Sequence, residues 1–383
     1  MHFKKAIYFC FFFYLSVQVK HAYAKDLTFE FINSFEIPTT EENRMIGISA
    51  IKYDKHHHQI YALSDDSGYF KHYNNKSNAR FYKLEIKEIN NNFELKMGPD
   101  SITFLKNPNL NTYWYGLSTT NLYTEGSIDP EGLTILDNGN ILISSEQNIS
   151  AWNIYPKFYE FDTQGKLLKE YSLPDRFNNT GVLNQKGCRR NKCIEGIDVI
   201  SGNRVVSLTE KSLVQDEKTK LLRFSVFEKE HEHLNLVEEY PYVMSSIEQE
   251  LTHDYNKISR GVSDLIALED NSFMAVERTF ISYKNGKTPL SIIRLYNFSI
   301  EKENTNLVNY ETIPSNAVPL RKKLVLDLLQ VKDEQGKRID NLNIEGMSFG
   351  PEINGHKTLI LVNDNGDNKE KPTKFLFFKI TEK

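Results

Sequence analysis

The stretch EGIDVISGNRVVSLTEK, residues 195–211, decides how this chain is read. An apolar run breaks at Ser201-Gly202-Asn203, and a second apolar run ends on the acid Glu210. Two β-rich runs about a Gly-Asn turn predict an antiparallel hairpin. In that pairing the first residue of one run shares an edge with the last of the other, so Glu195 comes beside Glu210.

Working outward, the same unit recurs four times: GISAIKYDKHHHQIYALSDD (47–66), EGLTILDNGNILISSEQ (131–147), SDLIALEDNSFMAVER (263–278) and EGMSFGPEINGHKTLILVNDN (345–365). The pairing predicts Glu131 beside Glu146, Asp264 beside Glu277 and Glu345 beside Asp364. After most of these hairpins comes a second pair of alternating runs, such as RFYKLEI and FELKM from Arg80, or SIIRLYNFSI and NLVNYETI from Ser291. An inner and an outer hairpin make a four-stranded blade. The last unit is followed by one strand only, KFLFFKI from Lys374, and FEFINSFEI from Phe29 supplies the missing partner. The chain is therefore expected to be an all-β propeller whose last blade is closed by both chain ends, which leaves no long free edge. Five blades are read directly, and segments 105–130 and 313–343 leave room for a sixth. Helical periodicity is local, at 245–258 and 324–333, so a doubly wound α/β fold lacks its helices. A β-sandwich remains a rival, against which five similar units favour radial repetition.

Lys4 and Lys5 precede an apolar run from Ala6 to Val19, and Ala22-Tyr23-Ala24 offers a cleavage site. Residues 1–24 read as a signal peptide, with an uncleaved anchor as the alternative; the run is short of the roughly 20 residues that span a bilayer. The remainder, 25–383, reads as one exported domain, periplasmic or extracellular, with no membrane insertion. Removing three lysines takes 47 basic against 51 acidic residues to 44 against 51, a charge of -7 instead of -4. That acidity argues against a nucleic-acid partner. Of three cysteines, Cys10 leaves with the leader. Cys188 and Cys193 form either a disulfide or a pair of free thiols, and export favours the disulfide.

Carboxylates recurring at equivalent edges repel unless a cation or water intervenes. Hard oxygen donors suit Ca2+, whereas zinc prefers His or Cys, which do not recur in the units. Glu131, Glu195, Asp264 and Glu345 are the candidates at the starts of inner strands, with Asp65, Asp66, Glu146, Glu210, Glu277 and Asp364 at the exits. Arg44, Lys211 and Arg278 lie next to unit edges and are candidates for holding an anionic ester. The competing reading is structural: acids at strand ends cap turns, and Glu277-Arg278 or Glu210-Lys211 pair locally. His56-His57-His58 reads as a solvated turn. No G-x-S-x-G elbow is present, and Asn285-Gly286-Lys287-Thr288 lacks the first glycine of a P-loop, so serine-esterase and P-loop chemistry are not supported.

DPEGL at 129–133, the internal EGI with its following E-K, the SDL…ALED…VER stretch and NIEGMSFGP…LILVNDN from Asn343 resemble the signatures of the "esterase-like activity of phytase" family. The resemblance runs from about Gly47 to Asn365. The chain departs from the pattern at NDNGDN, where members carry an acidic pair before Asn and an aromatic. The resemblance implies a propeller hydrolase of phosphate or carboxylic esters, and its likeness to calcium-dependent propeller phytases implies metal ions at the channel mouth. The expectation is Ca2+-assisted hydrolysis of a small anionic phosphate ester, with Glu195, Glu345, Arg44, Lys211 and Arg278 as catalytic candidates. A non-catalytic binding propeller and a metal-dependent lactonase-like esterase are the alternatives.

Overall fold

The structure is a computed structural model that describes residues 26–65, 78–108, 128–146, 155–179, 185–249, 251, 254–269, 271–339, 341–366, 368 and 370–382. The proposed leader and Asp66 lie outside the described residues, as does most of segment 105–130. Among the described residues no helix is long and apolar enough to cross a membrane.

The chain begins with β1 (Leu27–Ile37) and then lays down blades from the centre outward. Blade one is β2 (Ile48–Asp54), β3 (Gln59–Ser64), β4 (Arg80–Ile89) and β5 (Asn92–Phe104). Blade two is β6 (Pro130–Ile135), β7 (Ile141–Ser145), β8 (Lys157–Phe161) and β9 (Leu167–Ser172). Blade three is β10 (Ile194–Ile200), β11 (Arg204–Thr209), β12 (Leu222–Glu230) and β13 (His233–Tyr242). Blade four is β14 (Tyr255–Glu269), β15 (Ser272–Tyr283), β16 (Leu290–Ser299) and β17 (Lys322–Asp327). Blade five is β18 (Ile344–Ile353), β19 (His356–Asn363) and β20 (Thr373–Glu382), with β1 as its outermost strand. The five four-stranded antiparallel sheets form a β-propeller, closed by strands from both ends of the chain as the sequence predicts.

Both faces of a middle strand are buried, because each blade packs on two neighbours. Val205 faces blade two while Val206, on the opposite side of the pleat, faces blade four. The apolar side chains gather into five layers, one in each gap between neighbouring blades, including the gap between blades five and one. That last layer, with Ile60 and Leu84 against Ile360 and Phe377, makes the ring continuous.

Four local expectations are corrected. NLVNYETI (306–313) does not supply the fourth strand of blade four; β17 does, out of a stretch whose spacing had suggested a helix. The carbonyls of 306–313 are claimed by two arginines of other elements. Arg176 donates to Leu307, Val308 and Tyr310, and Arg223 to Tyr310 and Glu311, so the segment is held as a loop on blade three. The described part of 245–258 is likewise not helical, and its last residues belong to β14. Segment 313–343 thus completes blade four and hides no sixth blade.

A carboxylate pit at one end of the channel

Each inner strand starts at the same end of the ring, and each carries one extra residue there relative to its partner. The register slips at Ser49, at Glu131-Gly132, at Glu195, at Ser263 and at Glu345. A bulge re-aims the side chain that carries it. The repeated E-G dipeptides thereby turn Glu131, Glu195 and Glu345 to the mouth, and the glycine that follows lets the next inner strand come close. A Cβ on Gly132 would lie 2.3 Å from the Glu195 carbonyl oxygen, and one on Gly196 would lie 2.4 Å from the Leu265 amide nitrogen. In blade four the bulge falls on Ser263, so Asp264 is equivalent to these glycines and not to the glutamates. Its carboxylate accepts from its own strand at Leu265 N (2.7 Å) and from Met347 N of blade five (2.6 Å), tying the two inner strands together.

The partner of Glu146 across the hairpin is Asp129, whose carbonyl accepts from the Glu146 amide. Asp129, Glu131 and Glu146 offer carboxylate oxygens that all lie within 4.8 Å of one another, and so do Glu146, Glu195 and Glu210. Glu146 belongs to both groups. It is fully buried; one oxygen accepts from Cys193 N, and the other, Oε2, has no hydrogen-bond partner among the described residues. Burial, then the charge of Glu210, holds Glu146 well above the usual carboxylate range. Glu131 is raised in the same way by burial and by Glu195, Glu146, Asp129 and Asp65. Glu195 is raised by burial and by Glu210, Glu146 and Glu345, against the pull of Arg278. Burial pushes Asp129 up to about 6 despite Lys192 and Arg190, and burial with Glu345 pushes Asp364 up to about 8.

The remaining expected residues divide. Glu345 pairs with Arg278 and accepts from Asn343 Nδ2 (3.1 Å), which also donates to Asp364 (3.0 Å). Arg278 also lies 3.8 Å from Glu210, and Lys192 lies 2.8 Å from it. Lys211 is half-buried and forms no ion pair among the described residues; burial lowers its pKa, Glu210 opposes that, and Lys192, Arg278 and Arg189 add to it. Asp65 sits at the rim of blade one, its amide bonded to Gly47 O. Glu277 turns elsewhere: it pairs with Lys322 and accepts from Tyr242 OH (2.8 Å) and Ser245 N (2.9 Å), so it has its own cation and donors. Arg44 lies in the loop before β2, where its Nε donates to Glu41 O.

Four contributors escaped the sequence reading. Asp129 stands inside the quoted DPEG, but the bulge that shifts the pairing to it leaves no trace in composition. Lys192 is brought in by the Cys188–Cys193 disulfide, whose loop also delivers the Cys193 amide to Glu146. Three residues deeper along the inner strands, Lys52 of blade one pairs with Asp198 of blade three, which also accepts from Thr134 Oγ1 (3.0 Å) and Ala267 N (2.9 Å). Four blades thus meet at one carboxylate, which floors the pit.

The donor set fits a hard cation: it is all oxygen, too crowded for every member to ionise alone, and holds a buried oxygen with no partner. The family model for phytase-like proteins, described as esterase-like activity of phytase, matches residues 43–367. No curated protein matches the sequence significantly. Among solved structures, an endo-arabinase from Bacteroides thetaiotaomicron is similar at a TM-score of 0.42 and 10% identity, over 89% of this chain and 96% of that one. An α-L-arabinofuranosidase from Lactobacillus brevis is similar at 0.39 and 10%, over 88% and 90%. The PQQ-bound form of an aldose sugar dehydrogenase from Streptomyces coelicolor is similar at 0.36 and 9%, over 93% and 98%. Likenesses of this size bear on neither activity nor substrate.

Proposed function

Since this chain belongs to the phytase-like family and is a hydrolase-like propeller, we propose that it is an exported enzyme that hydrolyses a small phosphate-bearing ester with the help of a hard divalent cation, Ca2+ first among candidates. The observation that carries the reading is the Oε2 atom of Glu146, fully buried and without a partner among the described residues, in the midst of four other carboxylates. Asp129, Glu131 and Glu146 would hold the ion. When bound, it supplies charge neutralisation, polarisation of the ester oxygen and an acidified water.

The chain's own residues do the rest. Lys211, with no carboxylate bound to it among the described residues, meets the anionic group of the substrate, and Arg278 and Lys192 give that wall its positive sign. Glu345 and Asn343 fix the guanidinium of Arg278 in place, which is a positioning role. Glu195, raised by burial and by Glu210, stands beside the ion-holding group, and to it falls the proton of the attacking water in this reading. The Lys52–Asp198 floor closes the channel below, so substrate enters and leaves by the mouth. Export is supported by the sequence of residues 1–24 together with the disulfide.

The test is turnover of purified protein on a panel containing a phosphomonoester, a carboxylic ester and a lactone, with Ca2+ and with chelator. Phosphomonoester turnover that needs Ca2+ and falls at least tenfold in Glu131→Gln supports the reading. Chelator-insensitive turnover refutes the cation's part, and preference for the lactone refutes the substrate class. No turnover, with a melting temperature that still rises with Ca2+, leaves a binding propeller.

A further inference from the structure

Two groups of three carboxylates sharing Glu146 suggest two ions on a count of acids alone. The chain's own cations are distributed unevenly around them, however. On the side of blades three to five, Glu210 has Lys192 at 2.8 Å and Arg278 at 3.8 Å, and Glu345 is paired with Arg278. On the blade-two side, Asp129, Glu131 and Glu146 form no ion pair among the described residues, and Glu146 Oε2 has no hydrogen bond there. Resting on the reading just given, we infer that Arg278 occupies the place of a second cation, so that the pit takes one divalent ion, held by Asp129, Glu131 and Glu146.

The guanidinium is built into this position. Arg278 sits on β15 directly opposite Gly261 of β14, and a Cβ at Gly261 would lie 2.5 Å from the Glu210 carboxyl. The absence of a side chain there opens the slot in which Glu210 lies beside Arg278. Asn343 Oδ1 accepts from the guanidinium on the far side, and the side chain is only 17% exposed. Two positive charges, Arg278 and Lys192, thus face Glu195, Glu210 and Glu345, and an added ion on that side would meet a guanidinium and an ammonium at close range. The consequence is a graded mouth: a replaceable ion beside Asp129, Glu131 and Glu146, a permanent guanidinium beside Glu210 and Glu345, and between them Lys192, paired with Glu210 yet near enough to act on Asp129 and Glu146.

The test is Ca2+ stoichiometry of the full chain by calorimetric titration and elemental analysis. Wild type should take one ion per chain, Arg278→Gln two, and Arg278→Lys one. Glu131→Gln should weaken binding at least tenfold, while Glu195→Gln should change it less than threefold. The last pair keeps the inference refutable even where Arg278→Gln fails to fold. Two ions in wild type, an unchanged count in a folded Arg278→Gln, or a larger loss in Glu195→Gln than in Glu131→Gln overturns it. Two ions overturn this inference and leave the proposed cation-dependent activity standing; no ion in wild type overturns both.

Discussion

Replacing Glu146 by Gln removes the charge at the centre of the pit while keeping an oxygen to accept from Cys193 N. Glu146 offers an oxygen within 4.8 Å of oxygens of Asp129, Glu131, Glu195 and Glu210. At that distance and an effective dielectric of about 20, two unit charges repel by about 3 kcal/mol. Four such pairs amount to on the order of 10 kcal/mol, comparable to the whole stability of a domain. Without a cation the folded chain therefore favours protons on these acids, in the direction to which burial and mutual repulsion push Glu131, Glu146 and Glu195. The sign follows from linkage. Where folded pKa values exceed unfolded ones, the native state binds more protons, so stability falls as pH rises from the ordinary carboxylate range toward the folded values. In chelator at pH 8, Glu146→Gln should be more stable than wild type by about 2–4 kcal/mol, a rise of several degrees in melting temperature. At pH 5 the difference should shrink, because the upward shift of Glu146 favours its neutral form there. Ca2+ at about 100 times its Kd should stabilise wild type by about 2.7 kcal/mol, and most of that should be lost in the variant. Thermal melts at both pH values, with chelator and with Ca2+, decide the matter. A variant that melts below wild type in chelator at pH 8, or that keeps the full Ca2+ response, refutes the account.

Two further substitutions probe the scaffold. Gly196→Ala forces a methyl against the Leu265 amide at 2.4 Å, backbone that cannot swing aside, and should cost about 3 kcal/mol or more in urea unfolding; a loss below about 1 kcal/mol would show that the inner strands have slack. Arg223 is fully buried between Asp216 (2.7 Å) and Glu239, and Arg223→Leu strands both, so a loss of about 3–5 kcal/mol is expected in the same assay. A neutral Arg223→Leu would mean that Arg176 alone satisfies Glu239.

The ring was legible because the hairpin repeats: each E-G or its variant opens a run with period two, and each closes on an acid after a polar turn. The site was legible as a set of acids and illegible as a geometry. SDL looks like EGL shifted by one residue, yet the bulge places Ser263 where blades two, three and five have Glu, and only backbone register distinguishes the two alignments. Glu277 shares its sequence context with Glu210, but Lys322, 45 positions further along the chain, neutralises it. NLVNYETI has the alternation of a strand, and what keeps it from pairing is a pair of arginines, Arg223 in blade three and Arg176 in the connection that leads into that blade. Partners distant in sequence leave no mark on local pattern.

The velcro of the fifth blade also fixes when the molecule can become whole. Leu27 lies against Glu382 and Ile37 against Thr373, so β1 waits for β20. Every blade but that one can assemble behind the growing chain, yet the ring stays an open crescent until β20 has been made. A contact of such sequence separation is slow to form. A fault in either strand is therefore felt at its distant partner, and through it by the whole ring.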